Sequence, residues 1–368
     1  MGSVNLARHY YFPAASATPE VEDGRRACID WDKLAQTVRD SVKFLDDVVT
    51  ANKYVDDVPQ LRQAALAGRR IGLGIMGLAD LFFAMRVRYG SDLSLAYAAL
   101  LAEWIQYNAM LESIQLAKDI GPKDGPFPAI KGSIFDPENL RWSPPGPLLD
   151  GILSGKKKKM LLEQARSFSN MPRVDWSKVV NGIKQYGIRN CALTTVAPTG
   201  TIGTVVGVEG YGIEPAFALS YTRFMMDQST GARIPLKYAS PLFKKALEEF
   251  KISEDHPVIK MILEKGSFGE LGLDEDDVIK HEDGANILRL IYCFVTAGDV
   301  SPEQHVKMQA TFQHFFSNSI SKTVNLPFDA TREDVYHIYQ LAWQLKCRGV
   351  TVYRNHSREI EVISTGKK

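Results

Sequence analysis

The sequence predicts an α/β fold built on parallel strands, and two observations carry that expectation. The first is a repeated order of helix, polar or glycine break and β-branched apolar run, present over residues 175–196 and again over 301–354. Alternation of this kind implies right-handed crossovers, with ligands bound beyond the carboxyl ends of the strands. The second is the stretch Arg189 to Arg223, in which the apolar run ending in Thr194, Thr195 and Val196 leads directly into Ala-Pro-Thr-Gly-Thr-Ile-Gly. Pro198 has no backbone donor and ends the strand ladder. Gly200 lets the backbone approach a ligand, Thr199 and Thr201 offer hydroxyls, and a helical turn starting near Thr201 points free N–H groups at an anion. Pro198, Thr199, Gly200, Thr201 and Ile202 are therefore the candidate phosphate site. An ordinary strand-to-helix loop with a capping threonine is the competing reading of this segment.

The elements follow in order. Residues 3–12 read as a strand, and Pro13 to Gly24 as a loop of small and polar residues. Asp30 caps a helix whose Trp31, Leu34, Ala35, Val38, Val42, Leu45 and Val49 share one face. Helical patterning resumes from Val58 to Met85 and from Leu93 to Ala117, so 30–120 is helix-rich. Gly121 to Gly151 carries Gly-Pro, Pro-Phe-Pro and Pro-Pro-Gly, which makes 121–155 a loop-rich insertion. Asp175 caps a helix that runs to Tyr186 and stops at Gly187, ahead of the strand at 190–196. Ser301-Pro302-Glu303-Gln304 is a capping box that opens a helix to Asn318, followed by a strand at Ser321–Asn325. Thr331 caps the next helix, whose Val335, Ile338, Ala342 and Leu345 share a face, and Gly349 leads into a strand at Val350–Arg354. The βα units thus occupy 175–358, and 359–368 is a tail.

Composition narrows the function classes. With 368 residues, 45% apolar and 24% charged, the chain can bury a large core. Forty-four basic residues against 43 acidic ones leave a net charge of +1, too little to hold a nucleic-acid backbone or an anionic membrane. No apolar run approaches the ~18 residues a bilayer span needs, and the N-terminus has no signal pattern, so the cytoplasm is the expected compartment. Cys28, Cys191, Cys293 and Cys347 form no C-x-x-C pair and read as buried free thiols; the histidines show no paired ligand spacing, and no metal centre is expected.

Two further motifs match a ligand-binding pattern only in part. Gly72 to Gly77 fits G-x-G-x-x-G, but a dinucleotide fingerprint follows a strand, and residues 58–68 have a helical composition. Glycines that let helices pack closely are the preferred account. Lys156 to Lys159 follows Gly155, yet Asp150 occupies the place of the first phosphate-loop glycine, and the run reads as a solvated loop.

Four separated blocks, in order, resemble one family. Ala197–Gly203 with Gly212–Pro215 (GIEP) and Ser220–Arg223 (SYTR) is similar to the substrate-phosphate loop and following strand of adenosylcobalamin-dependent (class II) ribonucleotide reductases. Arg69–Leu81, Met308–Pro327 and Cys347–Arg358 resemble further blocks of the same family. That family's oxygen-dependent class carries two adjacent tyrosines where this chain has Val352-Tyr353, which favours the cobalamin class.

The resemblance implies a fold: residues 1–358 would be the second half of the family's ten-stranded α/β barrel, with strands near 3–9, 190–196, 321–325 and 350–354. It also implies what lies elsewhere. The family's thiyl-radical cysteine sits in an Asn-Pro-Cys-Gly-Glu loop, absent from the 368 residues, and Gly2–Leu6 match the end of a block that a second cysteine opens. The family's C-terminal cysteine pair is absent too. The implied reading is the C-terminal portion of a reductase, split or truncated, with its catalytic cysteines upstream of Met1 and no turnover alone.

An N-terminal reductase half would cover the open sheet edge. Adenosylcobalamin is the implied cofactor, a ribonucleoside di- or triphosphate the implied substrate, and an external thiol the implied reductant. Ser3, Glu214 and Tyr353 are implied active-site neighbours; a structural role for Glu214 and a packed Tyr353 are the competing readings. Two rivals stand beside this reading: an inactive half-barrel scaffold or regulatory remnant, and a nicotinamide-dependent oxidoreductase using the Gly72 block.

Overall fold

Apolar side chains segregate into two cores, a large one behind a row of parallel strands and a smaller one among the helices that follow residue 240. The computed structural model describes residues 1–12, 27–226, 229, 233–281, 283–355, 357 and 363–364. The loop expected at Pro13–Gly24 lies outside these residues. So does the tail at 359–368, apart from Ile363 and Ser364.

The N-terminal part runs β1 (Gly2–Asn5), β2 (Tyr10–Tyr11), β3 (Cys28–Ile29), α1 (Trp31–Ala51), α2 (Pro59–Gly68), β4 (Leu73–Met76), α3 (Leu78–Met85) and α4 (Asp92–Ile120). After the 121–154 segment come α5 (Gly155–Ser169), α6 (Trp176–Tyr186) and α7 (Gly200–Val206). The antiparallel strands β5 (Ser220–Met226) and β6 (Arg233–Ala239) lead into α8 (Pro241–Glu249), α9 (Pro257–Lys265), α10 (Glu275–Ile279) and α11 (Gly284–Cys293). The chain then forms α12 (Pro302–Phe315), β7 (Thr323–Leu326), α13 (Arg332–Gln344), β8 (Thr351–Arg354) and β9 (Ile363–Ser364), the last pairing with β5.

The caps read from the sequence hold these helices. Asp30 accepts from Lys33 N–H and Asp175 from Ser177 N–H, and Ser301 and Thr331 each form a complete capping box. The apolar face read for α1 is buried from Trp31 to Leu45. Helix α4 is buried nearly all round from Ser94 to Met110, where α1, α5, α6 and α12 pack against it.

Five extended segments lie side by side. β1 pairs in parallel with β4, β4 bridges to Thr194, Val196 bridges to Ile320, and β7 pairs in parallel with β8. Backbone bonds seat the middle segment: Leu73 N–H donates to Leu193 O at 2.8 Å, Thr195 N–H to Leu73 O at 2.9 Å and Ser321 N–H to Val196 O at 2.9 Å. Among the described residues the row does not close into a barrel, since β1 and β8 each pair with one neighbour in it. The two faces differ. Val4, Ile75, Thr194, Val324 and Leu326 are buried on the helix side, whereas Ser3, Thr195, Thr323, Asn325 and Tyr353 are only partly covered.

A buried polar network fixes where the middle segment starts. Asp46 of α1 accepts from Arg69 Nε at 2.8 Å, Asn190 Nδ2 at 2.8 Å and Arg189 Nε at 3.1 Å. Each charge in it is paired and hydrogen-bonded, the condition under which buried charge is tolerated.

The structure corrects several expectations. The helical pattern at Val58–Met85 is interrupted: α2 ends at Gly68, and Leu73–Met76 inside the glycine block form the strand β4, fully buried. The glycines serve strand packing, not helix packing. A Cβ on Gly74 would stand 2.8 Å from Thr195 O, and one on Gly72 would stand 2.9 Å from Thr195 Cγ2. Gly74→Ala is therefore expected to destabilise the chain by about 1–3 kcal/mol through overpacking against backbone, read as a lowered urea midpoint; an unchanged midpoint would refute the close approach.

The strand read at residues 3–12 stops at Asn5, because the Asn5 side chain accepts from Ala7 N–H and starts a 3-10 turn. The strand at 190–196 is reduced to bridges at Thr194 and Val196. Lys156–Lys159 open α5 instead of a loop, with Lys158 Nζ bonded to Asp150 at 2.6 Å and to Leu148 O at 2.7 Å. The cysteines are free, but only Cys293 is fully buried; the others are half-buried, and burial still pushes the Cys347 thiol up to about 12.

Candidate functional site

The turn after Val196 sits at the carboxyl end of the middle segment. Thr199 adopts a left-handed backbone (φ 54) that reverses the chain, and α7 starts at Gly200, one residue before the expected start. No side chain caps it. The N–H groups of Gly200, Thr201 and Ile202 open the helix, where no earlier carbonyl of their own helix can reach them, and the first intrahelical bond is Gly203 N–H to Thr199 O at 2.7 Å. Thr199 occupies the cap position without capping: its Oγ1 accepts from Gly212 N–H at 2.7 Å, which leaves the hydroxyl proton to donate. Pro198, Thr201 and Ile202 are exposed, and nothing lies within 4 Å of the place a Cβ would take on Gly200. Thr199 itself is buried and held by Gly212, so the open part of the segment is Pro198, Thr201 and Ile202 with the half-buried Gly200 between them.

The loop that receives Thr199 is pinned at both ends. At its start, the buried Asp80 carboxylate accepts Glu209 N–H at 2.9 Å and Gly210 N–H at 2.9 Å. Burial raises the Asp80 carboxyl against those bonds. At its end, Glu214 accepts Thr323 N–H through Oε1 at 2.7 Å and pairs through Oε2 with Lys322 Nζ at 2.5 Å. Between them, Tyr89 donates to Ile213 O at 2.5 Å.

Lys322 is the buried centre of that second anchor. Its ammonium reaches Glu214, His305 Nδ1 at 2.7 Å and Thr323 O at 2.6 Å, three acceptors for three protons. Burial lowers its pKa, and the Glu214 carboxylate pulls the other way. Burial first and the Lys322 charge second hold His305 well below the usual histidine range, so the ring is neutral, with Nε2 facing Ala297 O at 3.2 Å as donor.

Lys322 and His305 were missed in the sequence reading. The signal was there: in Ile320-Ser321-Lys322-Thr323-Val324-Asn325-Leu326, period two puts Lys322 on the apolar face. Asp80 likewise interrupts an otherwise apolar helix.

The implied neighbours are not all brought together. Glu214 belongs to the loop that touches Thr199. Ser3 on β1 and Tyr353 on β8 stand at opposite edges of the parallel row, Ser3 in register with Gly74 and Tyr353 with Asn325. No strand stands immediately before Gly72, so the dinucleotide reading gains nothing from the structure.

A family model described as "Ribonucleotide reductase, barrel domain" matches residues 1–353. The chain belongs to this family. It is 31% identical over 366 residues to a vitamin B12-dependent ribonucleoside-diphosphate reductase of Thermoplasma acidophilum, covering 100% of this chain and 37% of that protein. It is 32% identical over 365 residues to the Mycobacterium tuberculosis protein of the same name, covering 99% and 40% respectively. A vitamin B12-dependent ribonucleotide reductase of Streptomyces avermitilis is 25% identical, with 94% and 34% covered. The chain thus spans about two fifths of the length of the Thermoplasma and Mycobacterium relatives.

The residues described do not by themselves fit a corrinoid. On the partly covered face of the row they form an open wall, and the cavity of about 530 Å³ near α11 is smaller than the cofactor and has none of the turn residues in its lining. Among the described residues no three His, Cys, Asp or Glu side chains are grouped to hold a metal, and no helix is long and apolar enough to cross a membrane.

Proposed function

We propose that the chain supplies the substrate-phosphate cradle of an adenosylcobalamin-dependent ribonucleotide reductase that converts ribonucleotides to 2′-deoxyribonucleotides. The observation that carries this reading is the uncapped N-terminus of α7, opened by Gly200 at the carboxyl end of a parallel strand segment. Pro198 to Ile202 would hold the phosphates of a ribonucleoside di- or triphosphate through backbone N–H groups and the Thr199 and Thr201 hydroxyls. The Lys322–Glu214 pair and the Asp80 carboxylate would hold the loop that positions Thr199.

On the same reading, the parallel row is the second half of the ten-stranded barrel, and residues 1–358 act as one unit. Its partly covered face, with Ser3, Thr195, Thr323, Asn325 and Tyr353, would look toward the first half. The family's Asn-Pro-Cys-Gly-Glu loop is not among the 368 residues, and on this reading turnover would need a segment that brings it, together with adenosylcobalamin and a thiol reductant. The names of the Thermoplasma and Mycobacterium relatives support a diphosphate substrate.

Gly200→Val tests the cradle. The new side chain enters space that the rest of the chain leaves open, so the urea midpoint should not move, but it stands where a phosphate would approach the N–H groups, and ADP binding to the purified chain, followed by calorimetry, should weaken at least about tenfold, about the worth of one charge-assisted hydrogen bond. Unchanged ADP affinity in the variant would remove the cradle. No binding of ADP by the parent chain, alone or with an N-terminal reductase half, would favour the inactive scaffold.

A further inference from the structure

The cavity of about 530 Å³ beside α10 and α11 has no part in the site described above, and its volume is one that holds small organic ligands. Arg86, Arg88 and Arg289 line it, with Glu275 as the facing carboxylate. Arg86 follows α3 in a left-handed conformation (φ 55), and its side chain is only 7% exposed. Its Nη2 pairs with Glu249 at 2.7 Å and its Nη1 donates to Phe83 O at 2.8 Å, so this guanidinium is held in place, and its Nε, closed off from the cavity, has no acceptor among the described residues.

Apolar side chains share the lining. The Arg88 guanidinium lies 5.4 Å from the Tyr292 ring and donates to Tyr292 O at 3.2 Å, which holds cation and ring together at the rim. Phe250 and Phe268 extend the apolar surface inward.

We propose that this cavity binds an organic anion: a flat apolar body lies against Tyr292, Phe250 and Phe268, and a carboxylate, sulfonate or phosphate meets Arg88 and Arg289. Guanidinium groups suit such oxyanions because their planar donors match the paired oxygens. The site does not depend on the phosphate turn.

The test uses the full chain and 8-anilinonaphthalene-1-sulfonate, an aromatic anion whose fluorescence rises on binding. The expected result is one saturable site, weakened at least about tenfold by Arg88→Ser with Arg289→Ser, and occupied at least about tenfold less tightly by the uncharged N-phenyl-1-naphthylamine. Gly200→Val should leave the probe's affinity unchanged, which separates this site from the phosphate turn. Should the double variant not fold, the exposed Arg289→Ser alone is expected to weaken the probe at least about threefold. Displacement of the probe by ADP or by indole-3-acetate would tell a phosphate ligand from a carboxylate one. Equal affinity in a folded Arg variant, equal binding of the uncharged analogue, or displacement by neither competitor would overturn the proposal.

Discussion

Lys322→Met is expected to lower the unfolding free energy by about 3 kcal/mol, near the low end for breaking a buried ion pair. The methionine fills the volume but leaves Glu214, His305 Nδ1 and Thr323 O without their shared donor. The Glu214 side chain is 25% exposed, so water can reach it and the loss stays at the lower end of the range. A second substitution sharpens the test: Lys322→Met with Glu214→Gln removes the uncompensated charge and should recover part of the loss. Urea denaturation of the parent and both variants measures it. A single variant as stable as the parent would show that the pair does not anchor the loop between α7 and β5. A double variant no better than the single one would place the loss in packing, not charge.

A stability loss between pH 4.5 and about 7 is the second expected result, and Glu209 is its source. Burial pushes the Glu209 carboxyl up to about 7 from an ordinary 4.5, with the nearby Asp80 adding to the rise and hydrogen bonds from Ser240 and Leu242 opposing it. Among the described residues its Oε2 has no hydrogen-bond partner. Between the two values the folded chain holds a proton that the unfolded chain has released, so stability falls as pH rises through this window and levels off above it. The full span amounts to roughly 3 kcal/mol at about 1.4 kcal/mol per pKa unit. Burial also raises Asp80, which acts in the same direction.

Glu209→Gln keeps the shape and removes the titration. Its urea midpoint should match the parent near pH 4.5 and exceed it at pH 8. Profiles that run parallel across that range would assign the slope to other groups.

What the residues show locally, the sequence showed correctly. Asp30, Asp175, Ser301 and Thr331 cap their helices because capping is a bond between a side chain and a backbone group two or three residues away. The faces of α1 and α13 follow from period alone, and the turn at Pro198–Ile202 was legible because proline and glycine act on their own backbone. The family blocks were legible for a related reason: each is contiguous.

Tertiary structure decided the rest, where a residue's role is set by partners far along the chain. Gly72 and Gly74 look helical beside an Ala/Leu-rich segment, and only the approach of Thr195, some 120 residues on, makes them strand glycines. Lys322 is a surface lysine by composition, until Glu214, 108 positions earlier, and His305, 17 positions earlier, supply acceptors in the core. Lys158 lies in a helix whose first turn is tied back to Asp150 and Leu148. Propensity is a property of a few neighbouring residues, whereas a buried charge or a strand contact is stable only once separate segments have met.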